Sequence, residues 1–138
     1  MTSPAGGSRA RADDRVLAEA HVPTGDARFL SGLSAWLAEP LSGCTQGVIR
    51  EAAIVLGELL TNAYQHADPP YRVWLTVRSR GHLVRLSVDD SGQPPPAPWP
   101  PGKGLFVVRG LCPDWGVDPT PTGKTVWGEL PVLVGPTA

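Results

Sequence analysis

Cysteine is scarce in this chain: Cys44 and Cys112 are its only thiols in 138 residues. Two thiols exclude a disulfide scaffold; reduced cysteines in a cytoplasm are the default expectation, with a single bridge left open. His21, His66 and His82 are scattered, so no Cys/His cluster has metal-ligand spacing. No apolar run reaches the roughly 18 residues of a membrane span. The opening stretch, MTSPAGGSRARADDR, lacks an apolar signal-peptide core and carries two acids, which argues against secretion and for a cytoplasmic protein. Charge of neither sign is in excess. Twelve basic and thirteen acidic residues leave a net charge of −1, which gives no footprint for direct contact with nucleic acid or an anionic membrane.

What is present is an apolar share of 41%, enough for one globular domain of this length. Residues 1–12 are small and polar and read as a disordered tail; residues 13–134 read as the domain. RVLAEAHVP alternates loosely and predicts an edge strand closed by Pro23. In TGDARFLSGLSAWLAEP, Phe29, Leu30, Leu33, Trp36 and Leu37 recur at helical spacing, with Thr24 as N-cap and Pro40 as terminator. Thr45 can cap a long helix running to about Ala67, whose apolar stripe includes Val48, Ala52, Val55, Leu56, Leu59, Leu60 and Ala63.

YRVWLTVRS and HLVRLSVDD alternate around a short turn and predict an antiparallel hairpin. Of the thirteen residues from Gly92 to Gly104, nine are Pro or Gly, so this stretch is a loop. LFVVRGL predicts a short buried helix opening at Gly104, and DWGVDPT and KTVWGELPV a final strand pair. The order predicts an α+β fold: a two-layer α/β sandwich, its sheet mixed but mostly antiparallel, with helices on one face.

Three features ask for more than a fold. Glu58, Asn62 and His66 recur every four residues and therefore share one face of the long helix. A solvated strip is the plain alternative, but the flanking positions are apolar almost all round, and a buried carboxylate beside a carboxamide needs partners. Phosphates and a bound cation would supply them. The strand LVRLSV delivers Asp89 and Asp90 into a Ser-Gly turn. Such an Asp is commonly a turn former; it can also accept from a ligand amino group while Gly92 admits a flat ring. PGKGLFVV sets Gly102 and Gly104 around Lys103 at a helix start, where unpaired N–H groups attract phosphate. TGKT, by contrast, is no Walker motif: Asp118 stands where that pattern wants Gly, and a strand follows it.

In order, these pieces resemble the GHKL ATPase superfamily over most of residues 15–133. ELLTNAYQHA is similar to its N box, DDSG to its aspartate-glycine box, GKGL to its second glycine box and TGKTVW to its last. Within it, ELLTNAYQHA, DWGV and GKTVWGELP are most similar to bacterial anti-sigma-factor serine/threonine kinases and their solitary ATP-binding relatives.

The resemblance implies an ATP-binding regulatory kinase that uses Mg²⁺. Glu58 would be the general base and Asn62 the Mg²⁺ ligand, with His66 near the nucleotide. Asp90 would accept from the adenine amino group, with Thr125 supporting the same carboxylate and base. Gly92, Gly102, Lys103, Gly104 and Leu105 would complete the binding loop under a lid from Pro94 to Pro101. Lys103 is the one basic residue between Gly92 and Gly104 available to the γ-phosphate. The implied protein partner is a sigma factor or an anti-sigma antagonist, and dimerisation is common among such relatives. The stiff proline lid favours an alternative, a nucleotide-gated module that sequesters its partner without transferring phosphate. A histidine-kinase ATP domain fits less well, because Glu58 suits serine transfer or hydrolysis.

Overall fold

A computed structural model describes residues 14–78, 81–92 and 103–132, without the side chain of Lys103. The expected tail over 1–12, the lid from Pro94 to Pro101 and Gly102 lie outside the described residues.

The elements follow as β1 (Arg15–Val22), α1 (Ala27–Ser31), α2 (Leu33–Ala38), α3 (Gln46–His66), β2 (Tyr71–Arg78), β3 (Leu83–Asp90), α4 (Lys103–Leu111), β4 (Asp114–Thr120) and β5 (Gly123–Pro131). The five strands form one sheet in the order β1-β2-β3-β5-β4, and every pairing is antiparallel. α3 lies along the sheet and buries Ile49, Ala52, Val55, Leu56, Leu59, Leu60 and Ala63 with Leu75, Val84, Leu86, Val88, Val126 and Leu130 from the strands. This is the expected α+β sandwich with helices on one face, its sheet antiparallel rather than mixed.

Local chemistry explains most boundaries. Thr45 has extended backbone, and its hydroxyl accepts from the Val48 N–H at 3.2 Å, an N-cap that fixes where α3 begins. The single helix predicted between Thr24 and Pro40 is instead two. Gly32 turns its N–H onto the carbonyls of Arg28 and Phe29, ending α1 before α2 restarts. The cap of α1 is Asp26, whose carboxylate accepts from Arg28 N–H at 2.8 Å, not Thr24. The stop lies at Ala38, ahead of Pro40.

α4 packs on β5 through a small residue. A Cβ on Gly128 would lie 2.9 Å from Cys112 Sγ and 3.2 Å from Val108 Cγ1, so Gly128 lets the helix settle on the strand. Cys112 is thereby buried, and desolvation lifts its thiol pKa from 9.0 to about 12. Two outcomes are expected. Iodoacetamide should alkylate half-exposed Cys44 before Cys112 in the native protein, read by peptide mass. Stability should also fall as pH rises between 9.0 and about 12, because the unfolded thiol ionises there and the folded one does not. A native Cys112 that reacts as fast as Cys44 would contradict this packing.

The sheet face away from the helices is polar yet buried. Arg85 lies opposite Glu129 in the β3–β5 ladder; its guanidinium sits 3.8 Å from the Trp127 ring centre and donates to Glu129 Oε2 at 2.9 Å. Arg78 reaches the same oxygen from β2. These pairs fill the outer surface of a strand that is buried from Gly123 to Leu130.

Candidate functional site

Three segments meet at one end of the sandwich. The Asp90–Gly92 turn leaves β3 and packs against the exit of α3: Ser91 N–H donates to Asp68 C=O at 2.9 Å. A Cβ on Gly92 would lie 3.2 Å from Asp68 N and 3.3 Å from Ala67 Cα. Gly92 thus serves close packing against the helix exit. β5 enters alongside. Gly123 is so close to β3 that a Cβ there would fall 2.0 Å from the Asp90 carbonyl oxygen.

The stripe on α3 runs toward this end, where the helix exits, but is less buried than the surrounding apolar letters predict. Glu58 and Asn62 are half-buried, and His66, the last residue of the helix, is exposed. The helix buries one broad face, and small residues such as Ala53 and Gly57 sit at its margin, partly open. Glu58 and Asn62 therefore keep access to solvent or ligand. His66 at a helix C-terminus also suits the macrodipole whatever else it does.

Asp90 is the buried member of its pair. Its Oδ1 accepts from the Gly92 N–H at 2.9 Å, the turn-forming role. Its Oδ2 lies 2.8 Å from Lys124 Nζ, and the two side chains are 1% and 4% exposed.

Thr125 is elsewhere. In the ladder Asp89 faces Thr125 and Asp90 faces Lys124, and successive residues of a strand point to opposite sides. Thr125 Oγ1 accordingly donates to Asp89 Oδ1 at 2.7 Å on the outer face, where Trp74 Nε1 also donates to it at 3.1 Å. The expected support of Asp90 by Thr125 is corrected: Lys124 holds that place. Alternation along β5 could have shown it, since Lys124 falls in phase with inward Val126 and Leu130.

Lys103 and Gly104 open α4, one residue ahead of the expected start at Gly104, and Leu105 behind them is fully buried. Leu105 thus anchors the helix in the core, while the backbone N–H groups at this N-terminus are candidates for an anion.

Among the described residues no group of three or more His, Cys, Asp or Glu could hold a metal by itself. The donors present near the stripe are one carboxylate and one carboxamide oxygen. That set is hard enough for Mg²⁺ but too small for a stand-alone site, so it fits a cation that arrives with phosphates and water as its other ligands. Among the described residues no helix is long and apolar enough to cross a membrane.

Comparison with known proteins gives a family. The model of the histidine kinase-like ATPase domain matches residues 23–128, which take in the α3 stripe, the Asp90 turn, α4 and most of β5. Among solved structures, the crystal structure of the RsbU and RsbW domains of Rv1364c from Mycobacterium tuberculosis superposes with a TM-score of 0.62 at 20% identity. The match covers 87% of this chain but only 33% of that one, and at such identity it shows a shared fold. Comparison with curated proteins found no match. With the matched segment spanning most of the sheet, the long helix and every described element of the site, the chain belongs to the histidine kinase-like ATPase domain family.

Proposed function

We propose that this protein binds ATP at the end of the sandwich where α3, the Asp90 turn and β5 converge, and acts as an anti-sigma-factor-like regulator that transfers the γ-phosphate to a serine or threonine of a partner protein. The observation that carries the reading is the family match over 23–128, which contains the residues singled out on α3, β3 and β5. The RsbW-containing neighbour supports the regulatory branch through its fold alone.

Each role follows from placement. Glu58, half-buried on α3, would accept the proton of an attacking hydroxyl. Asn62, one turn on, would lend its carboxamide oxygen to Mg²⁺, which when bound offsets the phosphate charge. Asp90 would accept from the base, with Lys124 beside it in the place expected for Thr125. The N-terminus of α4 at Lys103 and Gly104 would meet phosphate through backbone N–H groups. His66 would stand at the solvent edge of the pocket. The partner proposed is a sigma factor or an anti-sigma antagonist, in the cytoplasm.

Paired variants test this division of labour. In Asn62→Ala, ATP affinity with Mg²⁺ should drop to the value seen in EDTA. Glu58→Gln should bind ATP as wild type does while losing hydrolysis and transfer by about 100-fold or more, within the range general bases contribute. Wild-type turnover in Glu58→Gln would remove Glu58 from the base role.

A further inference from the structure

Lys124 faces Asp90 on the helix side of the sheet and brings a full charge to a place where a neutral group would satisfy the turn. Asp90 Oδ1 is committed to the Gly92 N–H. Oδ2 lies 2.8 Å from the ammonium, yet among the described residues it accepts no hydrogen bond. A carboxylate oxygen has two lone pairs, so one contact with the ammonium does not exhaust it. Desolvating an ion pair is costly, and a buried acceptor left unfilled adds to the cost. What the register builds is one acceptor beside one cationic donor, both more than nine-tenths buried.

We propose that Lys124 is a specificity-determining residue: it donates to ring nitrogen N1 of a 6-aminopurine whose amino group donates to Asp90 Oδ2. This rests on the nucleotide reading above and supplies the second half of base recognition. The edge of adenine presents a donor next to an acceptor, the complement of Asp90 beside Lys124. Guanine presents a carbonyl and two adjacent N–H donors, and those donors need two carboxylate oxygens. Oδ1 is held by the turn, so only one is available. The pair therefore selects adenine over guanine. Gly123 keeps β3 and β5 close enough to hold the two groups side by side.

The test is calorimetric titration with ATP and with 1-deaza-ATP, in which CH replaces N1. Wild type should bind ATP roughly 10- to 100-fold more tightly, the range of a hydrogen bond from a charged donor. In Lys124→Met that ratio should collapse to near one. Lys124→Arg, which keeps the charge but displaces the donor, gives the same readout should the methionine variant fail to fold, and should lower the ratio too. A wild type that binds both nucleotides alike, or a lysine variant that keeps the ratio, overturns the role of Lys124 and leaves the ATP site standing. Folded wild type that binds no ATP overturns the site and this proposal together.

Discussion

Replacing Glu129 with alanine is expected to destabilise the fold by about 3–5 kcal/mol, the range for breaking a buried ion pair by removing one partner. Its Oε2 contacts both Arg78 and Arg85, whose side chains are 9% and 5% exposed. Burial already lowers the pKa of Arg85, with the nearby Arg78 charge adding to the effect and Glu129 opposing it. Without Glu129, two guanidinium groups would lie close together on the outer sheet face with one buried carboxylate fewer. Glu129→Gln should be milder, because the shape and one acceptor survive. Replacing the arginines and the glutamate together by apolar residues of similar size should recover most of the loss, which separates the charge effect from packing. Urea unfolding midpoints report all of these. A Glu129→Ala protein within about 0.5 kcal/mol of wild type, the scale of an ordinary surface change, would mean the network contributes nothing.

Gly123→Ala should be nearly as damaging, by sterics instead of charge. The new Cβ would meet the Asp90 carbonyl oxygen at 2.0 Å, its carbon at 2.7 Å and Ser91 Cα at 2.8 Å, all backbone atoms that cannot swing aside. β5 would have to shift away from β3 at the Asp90–Lys124 pair. We expect about 1–3 kcal/mol of overpacking cost. ATP affinity should fall with it, because the displaced strand carries Lys124. Gly110→Ala is the matched control. A Cβ on that exposed glycine of α4 would meet no atom within 4 Å, so alanine there should add up to about 1 kcal/mol through helix propensity and leave binding unchanged. Equal effects of the two substitutions would contradict the close approach of the strands.

Which parts of this were legible from sequence follows from how local each determinant is. α3 announced itself through an N-cap threonine and a long stretch of consistent periodicity, and the β2–β3 and β4–β5 hairpins through alternation around short turns. The split at Gly32 was harder to see, because the apolar spacing from Phe29 to Leu37 runs through it uninterrupted. Burial of the α3 stripe was overstated for a related reason: alanine and glycine count as apolar letters, yet at the edge of a packed face they leave their neighbours open. The pairing of Thr125 was misassigned because facing depends on a partner strand. Only the register of β5 against β3 puts Thr125 with Asp89 and Lys124 with Asp90. That same register sets the lysine of TGKT beside Asp90, which the local pattern of that stretch does not announce.

The most direct measurement is a calorimetric titration of the protein with ATP, in Mg²⁺ and in EDTA, on wild type and on Asp90→Asn. The account predicts saturable binding by wild type that is tighter in Mg²⁺, and a loss of at least about tenfold in the variant, the scale of one charge-assisted hydrogen bond. Binding unaffected by Asp90→Asn would move the base away from the β3 turn. A folded wild type that gives no heat with ATP would contradict the nucleotide site itself.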